Sequence, residues 1–291
     1  SANYQIFVND DSPCTPDNED GLSWGTAFKN LQKGVDRATQ EGKEIWVAEG
    51  VYKPTFRTDS LNPRSATFMI YSGIQIIGGY KGYEVNGEPQ GSLYNTILSG
   101  DLSGNDDSIS VWPPAIVDTQ YISDNVYHVV TMSENSNTSS IKLERLNIKG
   151  GVATGEGKDM IGAGVLNSTT SPTLEFVIIT RNLADSSGAG VYDAGGIRLL
   201  KNCLIEKNVS IRGCGAGLFT ENGNLEIDAS VFYRNELKDT ASISGGAGIY
   251  SINSAVSMVN TVFSKNNSQT QSGAIHSKNG FVKISSSTFS G

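Results

Sequence analysis

Three carboxylates, Asp101, Asp106 and Asp107, fall in the stretch LSGDLSGNDD. Two of them could flank a glycosidic bond as acid and base. All three could share a calcium ion through oxygen ligands. Against both readings, DLSGNDD lacks the glutamate and register of an EF-hand loop, and Asp, Gly and Asn are ordinary turn residues. A second acidic group, Asp10, Asp11, Asp17, Glu19 and Asp20, offers the same calcium chemistry, with a solvated acidic loop as its simpler reading. Just beyond the first group, Trp112 stands between Val111 and the pair Pro113, Pro114. An indole held that way is a platform for stacking on a sugar or a partner's apolar patch, with Asp106, Asp107 and Tyr121 supplying hydrogen bonds. The equal alternative is that Trp112 folds back onto the flank of the protein.

The remaining reactive side chains read as structural. His128 lies inside an apolar strand pattern, VYHVV, and Arg198 and Arg212 are lone arginines without a neighbouring acid pair. Three cysteines give neither a disulfide framework nor metal-site spacing. Cys203 reads as a packed thiol that Cys214 could reach within one repeat, and Cys14 has no evident partner. Four Asn-x-Ser/Thr sequons, at Asn137, Asn167, Asn208 and Asn266, read as a by-product of an Asn- and Ser-rich composition.

What must position these groups is a repeat. GAGVLNSTTSPTLEFVIITRN, GAGVYDAGGIRLLKNCLIEKN, GAGLFTENGNLEIDASVFYRN and GAGIYSINSAVSMVNTVFSKN are four copies of one phrase, and a fifth begins at Gly273. Their closing asparagines, Asn182, Asn208, Asn235 and Asn266, are 26, 27 and 31 residues apart. Such a period means one supersecondary unit stacked on itself. Three residues before each asparagine stand Ile179, Ile205, Phe232 and Phe263, with Phe289 in the last copy; eight before stand Leu174, Leu200, Ile227, Met258 and Ile284. This short alternation between Gly, Asn and Ser is strand spacing, not helix spacing. The pattern predicts an all-β chain, a right-handed parallel β-helix. Its inner columns are aliphatic and aromatic, and its asparagines form a turn ladder suited to left-handed backbone and to hydrogen bonds along the stack. His276 takes the place of Tyr192 and Tyr250 in such a column.

The repeat, and the opening order DGLSWGTAFKNLQ…EIWVAEGVYKPT, resemble bacterial surface proteins of the pectin-lyase-like β-helix superfamily, in particular β-helix repeat proteins related to chlamydial polymorphic outer-membrane proteins. Gly188 to Asn208 carries the order of that family's repeat, including Asn202-Cys203. The resemblance is one of architecture over nearly the whole chain, and it implies an extracellular or cell-surface location with adhesion rather than catalysis. Enzymes of the fold resemble one another in aspartate clusters with a strand Arg or Lys, or in a Gly-His-Gly element with Arg-x-Lys. Neither set is found here.

One domain, 1–291, is expected in three parts. Residues 1–44 form a strand, an acidic loop and a capping helix over 26–41, with Thr26 as N-cap, Phe28, Leu31, Val35 and Ala38 on one stripe, and Gly42 after its end. Such a cap is needed because an open solenoid end exposes core and unpaired strands. Residues 45–150 form irregular coils, with strands over 67–80, 96–102, 126–132 and 141–149 and long insertions at 81–94 and 103–125. Residues 151–291 form the regular repeats, ending in mid-repeat as a truncated chain would.

The 291 residues carry a net charge of −8, with 18% charged residues and 33 glycines, a composition of turns and polar strand faces. With no basic stripe evident along the sequence, nucleic acid is excluded as a partner. No apolar run is long enough to span a membrane. The expectation is a monomeric, non-catalytic adhesion or glycan-binding protein. No cofactor is required, calcium is the candidate ion, and the partner is a polysaccharide or a host or cell-surface protein. The alternative is a polysaccharide lyase or glycoside hydrolase.

Overall fold

The computed structural model describes residues 5–83, 95–109, 112–113, 116–134, 140–238 and 245–291. The insertion at 81–94 therefore lies largely outside the described residues, as do Val111, Pro114 and the sequon at Asn137. The strands stack into a right-handed parallel β-helix with four faces. Sheet 1 runs from Gln5–Val8 to Phe281–Ser285 and sheet 2 from Gly50–Tyr52 to Thr288–Ser290. Sheet 3 runs from Val152–Ala153 to Asn267–Ser268, and sheet 4 from Phe56–Arg57 to Ile275–Lys278. One regular coil passes through Val165–Asn167, Thr173–Glu175, Ile178–Thr180 and Leu183–Ala184, then rejoins sheet 4 at Val191–Asp193. Neighbouring coils pair in parallel, and among the described residues the one antiparallel pair is Phe56–Arg57 on Ala66–Tyr71. Parallel crossovers of twisted strands take this hand.

Identical phases of the repeat meet in register. Leu174, Leu200, Ile227 and Met258 align on sheet 1, and Ile179, Ile205, Phe232 and Phe263 on sheet 2; all eight are buried in one continuous core. The rings of Phe232 and Phe263 stack with centroids 4.9 Å apart. Phe289 continues the stack at 5.0 Å but is 46% exposed, because no described coil lies above it. A second column, Tyr192, Phe219, Tyr250 and His276, stacks ring on ring along sheet 4.

The asparagines form a ladder, with Asn182, Asn208 and Asn235 fully buried and Asn266 partly so. The side-chain oxygen of Asn208 accepts from the backbone N–H and the side-chain amide of Asn182, and Asn235 serves Asn208 in the same way. Each side-chain amide also donates to a carbonyl in the preceding coil: Asn182 to Ile148, Asn208 to Ile179, Asn235 to Ile205 and Asn266 to Phe232. The left-handed backbone falls one residue earlier than expected. Arg181, Lys207, Arg234 and Lys265 carry the positive φ, leaving each asparagine to turn inward.

A polar column that sequence reasoning missed runs beside the ladder. Asp193, fully buried, accepts from the backbone N–H groups of Gly196 and Ile197, from the Thr220 hydroxyl and from the Asn167 side-chain amide, at 2.6–3.0 Å. Burial raises its pKa. Four donors account for its acceptor sites, so this carboxylate closes a turn.

At the N-terminal end the cap differs in detail from the sequence expectation. The helix spans Leu31–Glu41 and its N-cap is Asn30, whose side chain accepts from Lys33 N–H. Thr26 ends a short 3-10 turn, and Phe28 bridges Val8 as extended chain. Hydrogen bonding of residue 28 to Phe7 holds that segment straight and delays the helix. Leu31, Val35 and Ala38 are buried, Gly42 takes the left-handed C-terminal position, and Gly34 lets the helix approach Val8, where a Cβ would come within 2.6 Å. The strand spans also break up. Residues 67–80 form Ala66–Tyr71 and Gln75–Tyr80, 141–149 form Lys142–Glu144 and Asn147–Lys149, and 126–132 contribute only Val130–Ser133. Each break is a β-helix corner, where ladder pairing stops.

Candidate functional site

The insertion at 103–125 leaves the solenoid at Gly100 and rejoins it at Val126, whose N–H donates to the Gly100 carbonyl. It thus fills the position that sheet 3 occupies in later coils. Its ends are tied. Asp101 accepts from the N–H groups of Gly104 and Asp106 at 2.6 and 3.0 Å, and Asp124 accepts from Ser103 N–H at 2.8 Å. The Asn125 side chain donates to Asp106 Oδ2 and to the Gly150 carbonyl. Arg64 braces the same corner by donating to the Asn125 and Val152 carbonyls at 2.7 Å, while its guanidinium covers the Tyr127 ring.

From these anchors the insertion folds down on the outer face of sheet 3. Ile109 and Ile122 bury themselves with Val152 and Leu183, and Trp112 and Tyr121 pack half-buried against that cluster. Of the two alternatives for Trp112, the structure therefore places the indole back on the flank. It also makes Pro113 a wall between two cavities, the second of which Trp112 lines as well. On one side an open groove of about 560 Å³ has Val152, Leu183, Val209 and Ile211 as its floor, with Arg64 and Lys238 at its edges. On the other side lies a cleft of about 320 Å³ bounded by Lys207, Arg234, Lys265 and Glu236.

The three aspartates do not assemble a metal site. Among the described residues no group of three or more carboxylate, imidazole or thiol side chains converges to hold an ion. Both oxygens of Asp101 are taken up by loop N–H groups, Asp106 faces Asn125, and Asp107 is exposed. The acids of the N-terminal loop are likewise spent locally. Asp10 accepts from Val51 N–H, Asp20 from Leu22 N–H, and Glu19 pairs with Lys33.

Asp106 is nevertheless perturbed. It borders a cavity of about 20 Å³, room for one water, together with Trp112, Lys149 and Arg181. Burial, reinforced by the charges of Asp101 and Asp124 and opposed by the Asn125 hydrogen bond, pushes its pKa up to about 6. A carboxyl raised in the folded state stabilises it fully below the unfolded pKa, and that contribution fades as pH rises through about 6. The Asp106→Asn variant is therefore expected to match the wild type near pH 4 and to exceed its stability by about 1–2 kcal/mol above pH 7, after allowance for solvent screening. Urea unfolding at both pH values checks this, and a pH-independent gap would show Asp106 to be solvated.

Other candidates resolve as structure. His128 is buried, with Nδ1 3.1 Å from the Gly162 carbonyl and Nε2 3.3 Å from Asp159. Arg212 is not lone, because it pairs with Asp185 of the preceding coil. Cys203 and Cys214 form no disulfide with each other; the Cys203 thiol is buried and pushed up to about 12. The sequon asparagines Asn167 and Asn208 are fully buried. No helix among the described residues is long and apolar enough to cross a membrane.

Sequence reasoning missed Arg64, the apolar floor of the groove and the basic edge of the cleft. One signal was present: the position before each ladder asparagine is Arg or Lys in four successive copies. The conclusion that no basic stripe exists holds along the sequence and fails in the fold, where those four residues form a column.

No family model matches the sequence, and no curated protein matches it. Similar solved structures include a pectate lyase, 13% identical with a TM-score of 0.44 over 97% of this chain and 78% of that one. A pectin methylesterase from Aspergillus niger is 12% identical with a TM-score of 0.42, covering 99% of this chain and 90% of its own. A rice weevil pectin methyl esterase is 10% identical with a TM-score of 0.39, covering 93% and 91%.

Proposed function

We propose that this protein is a non-catalytic, extracellular or cell-surface β-helix that binds a polysaccharide in the groove between its insertion and sheet 3. The observation that carries the reading is the groove itself: about 560 Å³, open, floored by aliphatic side chains and edged by Arg64, Thr154, Ser123 and Lys238. An apolar floor with few polar groups at its edges suits the face and hydroxyls of a sugar chain. Among the described residues its lining contains no carboxylate, whereas glycoside cleavage by two carboxyls needs a facing pair. Asp106, whose pKa burial raises to about 6, borders the water-sized cavity behind Trp112 and not the groove. These features favour binding over a lyase or hydrolase.

Filling the groove tests this. Ser123 is exposed, so Ser123→Trp is expected to leave the melting temperature within about 2 °C while weakening glycan binding about tenfold or more, equivalent to about 1.4 kcal/mol. A glycan array followed by titration of the best hit measures it. Unchanged affinity in Ser123→Trp would overturn the site, and reducing-end or unsaturated products from the wild type would overturn the non-catalytic reading.

A further inference from the structure

The four basic residues preceding the ladder asparagines stack because the repeat stacks. Arg181, Lys207, Arg234 and Lys265 occupy equivalent positions in successive coils, one after each strand of sheet 2. Successive coils are about 4.8 Å apart, so the column runs about 14 Å along the solenoid. Two local costs oppose this choice of residue. Left-handed backbone favours Gly or Asn over a long side chain, and like charges directly opposite on neighbouring strands repel. Another left-handed column, at the turn between sheets 1 and 2, shows what the backbone alone accepts. It holds Arg145, Phe176, Asn202, Ala229, Asn260 and Ser286, with a single basic residue.

Among the described residues Arg181, Arg234 and Lys265 are exposed and have no ion-pair partner; Lys207 contacts Glu206 at 3.3 Å. Lys149 lies beside Arg181 at a small cavity that Asp101, Asp106 and Asp107 also border, and Glu236 shares the cleft with the other three, so the positive field is concentrated at Lys207, Arg234 and Lys265. In a chain of net charge −8 this is a concentrated patch of the minority sign. Lys207, Arg234 and Lys265 also bound the 320 Å³ cleft whose far wall is Trp112 and Pro113. Cations thus stand opposite an aromatic and aliphatic wall, the pairing that would hold an anionic substituent and a sugar face together.

We infer that the basic column is a binding track for a linear anionic polysaccharide lying along the solenoid axis, its carboxylate or sulfate groups facing Arg181, Lys207, Arg234 and Lys265. This rests on the glycan-binding reading and names the substrate class. The track is continuous with the apolar-floored groove at Pro113 and Val209, which line both cavities. A chain crossing from groove to column would meet apolar contacts first and charges second.

The test compares heparin, hyaluronan, neutral dextran and oligothymidylate on the wild type and on K207N/R234N/K265N. Asparagine tolerates the left-handed backbone, so the variant keeps its fold, which its melting temperature checks. The expected result is that heparin or hyaluronan binds the wild type, weakens steeply between 50 and 200 mM salt, and loses about tenfold or more of its affinity in the triple variant. A response to heparin alone assigns sulfate; a response to hyaluronan alone assigns carboxylate. Dextran preferred over both, equal affinity of wild type and variant, or oligothymidylate bound as tightly through the same residues would overturn the proposal. Its failure is separable from failure of the groove: Ser123→Trp reports on the groove, and the triple variant on the column.

Discussion

Replacing Phe232 by alanine is expected to destabilise the protein by about 3–5 kcal/mol, the range for a fully buried aromatic truncated to a methyl group. Phe232 is fully buried, with Ile205 below it in register and Phe263 stacked above at 4.9 Å. A solenoid coil touches only its neighbours, so the cavity is walled by the same column on both sides and cannot be filled from elsewhere. Phe232→Leu, which keeps most of the volume, should recover more than half of the loss. Urea unfolding with matched m-values measures both. A Phe232→Ala loss below about 1 kcal/mol would show that the column does not carry the core.

Asn208→Ala is expected to cost about 3 kcal/mol although it removes only a small polar side chain. Its side chain joins four hydrogen bonds: two accepted from Asn182, one donated to the Ile179 carbonyl and one donated to the side-chain oxygen of Asn235. The partners left behind are buried, and each orphaned group carries a desolvation penalty of about 1–3 kcal/mol, partly relieved where water enters. Asn208→Asp keeps the acceptor but loses the donor, and should be destabilising as well. Because Asn182 and Asn208 share bonds, the double alanine variant should lose clearly less than the sum of the singles. Strict additivity would mean that the ladder is four separate turns rather than a connected network.

Both effects were legible in the sequence, because a repeat turns one-dimensional phase into three-dimensional neighbours. Four copies ending in RN, KN, RN and KN, with an apolar residue three positions earlier, are enough to require a stack, an inner column and an asparagine line. Composition and strand-period alternation then leave a parallel β-helix, and the need to cover an open end calls for the helix around Leu31, Val35 and Ala38. None of these inferences depends on what lies between the repeats.

What only the tertiary structure decided concerns side chains whose partners are distant or lie outside the repeat. Trp112 between apolar and proline neighbours reads equally as platform or as cover. Its packing against Val152 and Leu183, some 40–70 residues away, makes it cover and cavity wall at once. Asp101, Asp106 and Asp107 look like ligands because they are close in sequence, yet backbone N–H groups claim both oxygens of Asp101, Asn125 takes one oxygen of Asp106, and Asp107 is exposed. Asp193 looks like a turn residue and is the buried centre of four hydrogen bonds from three coils. The basic column is the sharpest case. Single arginines and lysines about 26–31 residues apart are unremarkable along a chain of net charge −8. Stacking brings them to about 4.8 Å spacing, where they make one continuous field.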